Sequence, residues 1–492
     1  PDPTPAPATP APSPTPAGDP GSAPFPVFAP HTHDNGAGAG VTDVRSDTVY
    51  VNGIHARTGE PLVKSQTIAA WAGELRGRGL DVPQEVRASV QAARFRAFGL
   101  PDTVDPNDLR QAGWGVVVPE GRKQQLLDAL KPLLDHRRAT VPPDRLKLLT
   151  YTGESCREWL RQQGMAFGSQ KPTIVPYHLL LAGTPEEISF EFQYLLDLEY
   201  SVGRLSFDDL TGFTAYSQAV VKTETAGTSR ARKAVWFAPR HDPATVLSHD
   251  ELVKPLMAGD SHGTAGYANV PLLAAEATRA NLLKSLAQEQ PALLFTASHG
   301  LGLDRGDPEQ RALQGALLTA DWSGSGPAGA DKCLAGQHVQ VDVSGMVAFL
   351  FACYGAGTPL RDDYRKDLTQ PPEQIADGPF VAALPQALLA NGALAVIGHV
   401  ERAWGCSIRP AGVRGDLLGP FRNLLSRILL GRCVGNATRD FSDRSAVLSH
   451  ELLELLRTDA SNVDDQTLVW NWVERNDARS YVTLGDPAVR LQ

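Results

Sequence analysis

The chain has 492 residues, 42% hydrophobic and 21% charged, with a formal net charge of −9. This is globular composition, which excludes a chain disordered throughout, and the negative balance argues against the basic surface that grips nucleic acid. No apolar run reaches the roughly 18–20 residues of a membrane span and no basic-then-apolar leader opens the chain, so neither a nucleic-acid nor a membrane partner is expected.

Residues 1–41 are rich in Pro and Gly and cannot bury enough apolar area to offset chain entropy, so a disordered, partly polyproline II linker is expected there. His31 and His33 within it are expected to be solvated rather than metal-bound. Residues 42–172 are expected to form a mixed, mostly helical N-terminal accessory region. It holds a hairpin near VYVNGIHARTGEPLV, helices around IAAWAGELRGRG, VRASVQAARFRAFG and RKQQLLDALKPLLDHRRA, and a strand at AGWGVVVP.

From residue 173 to 492 apolar runs of strand length alternate with helical stretches: YHLLLAG, KAVWFAP, PALLFTASHG, GMVAFLFACYG and GALAVIGHV. Runs apolar on both faces and separated by helices imply an α/β fold, a mostly parallel sheet covered by helices on both faces. The amphipathic stretches LLGPFRNLLSRILLG and SAVLSHELLELLR are expected in its covering layer. Ligands of such sheets bind beyond the carboxyl ends of the strands.

Two strand ends there carry reactive side chains. PALLFTASHG delivers Ser298, His299 and Gly300; GMVAFLFACYGAG delivers Cys353, Tyr354 and Gly355. A thiol attacks as thiolate, and an imidazole with a pKa of about 6.5 is suited to take its proton and return it to a leaving amine. Gly300 and Gly355 permit close backbone approach, and the amides of Gly300 and Cys353 are candidate donors to an oxyanion. Singly, such a Cys is more often core packing and such a His a turn residue. Their co-occurrence, 353 − 299 = 54 positions apart, is close to the roughly 50 by which the caspase histidine precedes its cysteine.

The motifs VPYHLLLAGTPEEISFEFQYLLDLEYSVGRLSF, LLFTASHG, LQGALLTADW, FLFACYGAGTP, ALAVIGHVERAW and YVTLGDPAVRL together resemble the bacterial caspase-like cysteine peptidases related to gingipains and CHAT-domain proteases. The likeness spans roughly residues 110–492. It implies a caspase-like fold, catalysis through Cys353 and His299, and cleavage after a residue held in an S1 pocket. Asp197 or Glu199 lies where the gingipain pocket acid falls, which would favour a basic P1 residue; the structural alternatives for Asp197 are an ion pair with Arg204 or a strand-end cap. Trp404 resembles the aromatic wall beside that pocket, with His399 and Glu401 nearby, and Tyr354 and Gly355 are further substrate-binding candidates. The chain departs from its relatives at AGTPEEIS and at Cys406, away from the dyad.

Asp362 and Asp363 are expected in a mobile, solvated loop whose Arg361, Arg365 and Lys366 would be a self-cleavage site if P1 is basic. Spacings for a phosphate loop, a serine nucleophile elbow or a zinc site are absent, so no cofactor is expected. The expected partners are a protein or peptide substrate and an upstream regulatory module or activator, within a bacterial defence or regulated-proteolysis system. Cys156, Cys333, Cys353, Cys406 and Cys433 lack paired spacing, which favours a reducing cytoplasm. The opening Pro suggests a processed or excised form, which leaves secretion open. The rival readings are a silent caspase-fold scaffold that binds protein partners and a legumain-type transpeptidase.

Overall fold

Ten strands form one sheet; the inner strands are largely apolar and buried on both faces, while the edge strands Leu146–Tyr151 and Ala268–Leu273 are partly exposed. The computed structural model describes residues 48–49, 53–62, 66–77, 100–101, 103–226, 230–259, 266–364, 373–410, 415–457 and 463–492. The 1–41 linker with His31 and His33, the helix expected near 86–99, and Arg365 and Lys366 lie outside the described residues.

The strands of the sheet are β1 Trp114–Pro119, β2 Leu146–Tyr151, β3 His178–Ala182, β4 Ser201–Leu205 and β5 Ala231–Ala238. They continue with β6 Ala268–Leu273, β7 Pro291–Ala297, β8 Val347–Phe351, β9 Ala395–His399 and β10 Tyr481–Gly485. Their order is β2-β1-β3-β4-β10-β9-β8-β7-β5-β6. Every neighbouring pair is parallel except β9 and β10. That single antiparallel pair makes the two halves run in opposite directions. The carboxyl ends of β9, β8, β7 and β5 therefore share an edge with the amino ends of β10 and β4.

Helices cover both faces, as the sequence leads one to expect. Along β1 the side chains alternate: Val116 and Val118 join one apolar cluster, with Leu126, Leu133 and Phe213, and Val117 joins another, with Trp159, Leu181 and Phe192. Each apolar side chain buried this way contributes on the order of 1.5–3 kcal/mol. The first cluster draws on α1 Lys123–Ala129, α2 Lys131–Thr140 and α3 Leu210–Ala226; the second draws on Cys156–Gln162 and Phe190–Leu196.

The sheet runs across the boundary expected at residues 172 and 173. β1 and β2 precede it, yet β1 pairs with β3 in register from Trp114↔His178 to Val117↔Leu181. Val44–Gln492 forms one unit, and the segment expected to be a mainly helical accessory region supplies two of its sheet strands. The hairpin expected near its start is present over 53–62: His55 N–H donates to the Glu60 carbonyl at 2.8 Å, and Leu62 N–H to that of Gly53 at 3.0 Å.

A buried ionic junction ties the two ends of this unit together. Just beyond β10, the Asp486 carboxylate accepts from Trp114 Nε1 at 2.9 Å and from Arg137 Nη2 at 2.7 Å. Arg137 also reaches Glu224 on α3, at 2.6 Å. Removing one partner leaves a buried charge uncompensated, which costs about 3–5 kcal/mol. Arg137→Met is accordingly expected to lose about 3–5 kcal/mol of stability, read from the shift of the urea unfolding midpoint.

Candidate active site

The geometry of the site begins with strand register. β7 and β8 are parallel and level, with Ala297 opposite Phe351, so the chain leaves both strands at the same height. Two residues later come His299 and Cys353. Gly300 packs so closely on the peptide of Cys353 that a Cβ there would lie 1.8 Å from the Cys353 carbonyl oxygen, so only glycine fits. Gly355 is also tight, with its Cβ position 3.1 Å from the Ala352 carbonyl oxygen. Ser298 is structural: its hydroxyl donates to the Leu318 carbonyl.

His299 is almost completely buried and held at both ring nitrogens. Nε2 lies 2.6 Å from Oδ2 of Asp242, and Nδ1 accepts the Gly53 N–H at 3.0 Å. These partners assign the proton to Nε2 and leave the lone pair on Nδ1, the tautomer that a general base acting through Nδ1 requires. Asp242 caps the short helix Pro243–Leu247, with Oδ1 accepting from Thr245 N–H at 2.9 Å. Burial opposes its charge, but the His299 contact and the cap outweigh burial and hold this carboxyl well below the usual carboxylate range.

Cys353 is fully buried, with Sγ 3.8 Å from the Ala403 carbonyl oxygen. Burial pushes its thiol up to about 12, against the lowering effects of the Ala403 contact and of Arg402. A Cβ built on Gly53 would lie 3.1 Å from this Sγ, so Gly53 touches both members of the dyad. The backbone beside the thiol is strained: Tyr354 has φ 56° and Glu401 φ 82°, and Tyr354 N–H donates to the Glu401 carbonyl at 2.6 Å. Left-handed non-glycine residues cost on the order of 1–3 kcal/mol and persist only where the surroundings enforce them.

The surroundings here are a buried charge network. Arg402 holds both carboxylate oxygens of Asp362, at 2.5 and 2.9 Å, and Glu401 at 2.9 Å, and its guanidinium lies 5.8 Å from the Tyr354 ring centroid. Burial raises the Glu401 carboxyl above its ordinary range. The expectation that Asp362 is solvated is thus corrected: it is buried, and Asp363 pairs with Arg479. Arg361, just before them, is exposed and bridges Gln374.

The pocket residues expected from sequence lie elsewhere or are engaged. Asp197 accepts from Val202 N–H at 3.1 Å, the strand-end cap, while Arg204 bonds Gln193 and the carbonyls of Gly183 and Ser189. Glu199 accepts from Gly168 N–H at 2.5 Å, and burial pushes its carboxyl up to about 7. Both precede β4, three strand positions from β8, roughly 14 Å at the usual strand spacing. Trp404 is buried in an aromatic cluster with Tyr364, at 4.7 Å, Trp71 and Trp472, and His399 bonds the Asp477 carbonyl at 2.9 Å. Among the described residues no group of three His, Cys, Asp or Glu is placed to hold a metal, and no helix is long and apolar enough to cross a membrane.

Two contributors were missed by sequence reasoning. Asp242 follows the apolar strand β5 in the sequence APRHDP, so the strand-end rule that singled out His299 and Cys353 also leads to it. Gly53 carried no local signal of chemistry.

No family model matches the chain, and no curated protein matches it. Among solved structures, the chain is similar to one described as "Structure of Protease" (TM-score 0.44, 14% identity, covering 78% of this chain and 80% of that one). It is similar also to the complex of Porphyromonas gingivalis RgpB pro- and mature domains (TM-score 0.39, 12% identity, 77% of this chain and 80% of that one). A third likeness is to the Saccharomyces cerevisiae separase–securin complex (TM-score 0.32, 10% identity, 63% of this chain but 16% of that one).

A buried thiol raised this far is scarcely ionised at neutral pH. Cys353 in the intact chain is expected to react with iodoacetamide at pH 7.5 much more slowly than a free cysteine, whose pKa is about 8.5. Intact-mass spectrometry against time, with peptide mapping of the adduct, measures this.

Proposed function

We propose that the chain is a cysteine endopeptidase of the caspase-like kind. The observation that carries the reading is a peptide N–H seated on the lone pair of His299, against the thiol of Cys353, with Asp242 holding the far side of the ring. A structural histidine and a core cysteine have no need of that arrangement, in which base, orienting carboxylate and nucleophile meet backbone. The sequence resemblance supports the same assignment independently.

In this reading His299 Nδ1 takes the Cys353 proton, Sγ attacks the carbonyl carbon of the scissile bond, and His299 returns the proton to the leaving nitrogen. Asp242 keeps the tautomer and stabilises the imidazolium that forms between those steps. Gly300 and Cys353 are the proposed oxyanion donors, a reading supported by the close approach of their peptides. Water then releases the acyl group.

The acid proposed for a basic P1 residue gains no support from Asp197 or Glu199, whose carboxylates serve Val202 and Gly168. Glu401 and Asp362 lie nearer the thiol but are engaged with Arg402. A setting in bacterial defence or regulated proteolysis, and an upstream activator, are proposals that rest on the resemblance.

The test is a fluorogenic peptide panel varied at P1. Cys353→Ala and His299→Ala are expected to abolish turnover, and Asp242→Asn to lower kcat on the order of 10²- to 10⁴-fold with little change in KM. Turnover that survives Cys353→Ala, or a chain silent across the panel, would contradict the reading; silence would favour a scaffold.

A further inference from the structure

We infer that the cavity at the amino ends of β5, β7 and β8 is a binding site for a small phosphate-bearing molecule. This goes beyond the peptidase reading and does not rest on it.

The cavity encloses about 280 Å³. Lys222 near the end of α3, Arg230 just before β5, Tyr267 just before β6, Gln290 just before β7 and Asp342 on the approach to β8 all line it. Because these strands are parallel, their starts share one edge as their carboxyl ends share the other. The cavity is therefore a strand's length from the dyad, roughly 20 Å at the usual rise per residue, and a ligand there does not compete with a peptide at Cys353.

The chain carries a net charge of −9, yet its charges here are mostly positive. Lys222 and Arg230 line the cavity, and the Arg232 guanidinium lies over the ring of Tyr267, 5.8 Å from its centroid. Among the described residues none of these three cations forms an ion pair with a carboxylate, whereas Lys233, next along β5, pairs with Glu289 at 2.7 Å. Asp342 is the only acidic residue among those lining the cavity, and its carboxylate accepts from Ser344 N–H at 2.8 Å. Cations outnumber acids, and a bound anion would balance them.

Arg230 is fixed in advance for such an anion. Its Nε donates to the Ser344 carbonyl, its Nη2 to the Asp342 carbonyl at 2.7 Å and its Nη1 to the Pro291 carbonyl at 3.5 Å. Three backbone oxygens hold the guanidinium without neutralising it, and partial burial opposes its charge more than Asp342 supports it. Of the five N–H groups of a guanidinium these bonds use three, which leaves one on each Nη for two oxygens of a single ligand. Lys222 adds a mobile point charge beside that fixed fork. A phosphate monoester, with a charge of about −1.5 to −2 at neutral pH and three acceptor oxygens, suits three cations better than a carboxylate does. The ring of Tyr267 offers a wall to the group that carries the phosphate.

Calorimetric titration of the full chain at low salt, with pyrophosphate and separately with malonate, tests the inference. Pyrophosphate is expected to bind saturably at one site per chain and more tightly than malonate, and to lose about tenfold or more in affinity in Arg230→Gln and in Lys222→Gln. The Lys222 ammonium makes no hydrogen bond or ion pair among the described residues, so Lys222→Gln is expected to fold as wild type and carries the test if Arg230→Gln does not fold. Lys233→Gln, which removes the same charge from the Glu289 pair, is expected to bind as wild type. No saturable binding of pyrophosphate, equal losses in Lys222→Gln and Lys233→Gln, or tighter binding of malonate than of pyrophosphate would each overturn the inference, and none of these results bears on Cys353.

Discussion

The level, parallel pairing of β7 with β8 is the constraint on which the site depends. Two strands that end at the same height bring His299 and Cys353 out side by side without any special loop, and the buried apolar face behind them fixes that register. Both strands are buried at every position, so sliding one by a single residue would turn each of its side chains into the opposite packed layer and separate the pair. The neighbouring strands add the remaining groups from the same edge: β5 leads to Asp242, and β9 leads to Glu401 and Arg402.

Electrostatics and packing then hold a thiol in its protonated form. Burial raises Cys353 while the Asp242 carboxylate stays charged against His299; in the proposed mechanism the thiol ionises by passing its proton to that imidazole. The strained backbone at Tyr354 and Glu401 lies beside the Arg402–Asp362 pair, and the peptide after Cys353 has a conformation that free chains seldom adopt.

Much of this was legible in the sequence. Apolar runs gave most strands of the sheet, and the glycine-flanked strand ends pointed to His299 and Cys353, because strand position and reactive side chain are both local properties. The membership of β1 and β2 in the same sheet was not legible: their pairing with β3 joins segments that no local pattern connects. Asp197 and Glu199 sat at the correct edge of the sheet but three strands away, a distance set by strand order, which periodicity does not reveal. Gly53 lies 246 residues from the histidine it touches, and a glycine in a hairpin gives no sign of that contact.

The account's central claim is that the Cys353 thiol is the nucleophile and His299 Nδ1 its base. The most direct measurement is labelling of the full chain, after incubation, with a peptidyl acyloxymethyl ketone, followed by tandem mass spectrometry of the adduct. The account predicts one thioether, on Cys353, lost in His299→Ala. An adduct on Cys156, Cys333, Cys406 or Cys433, or labelling of Cys353 undiminished in His299→Ala, would contradict it.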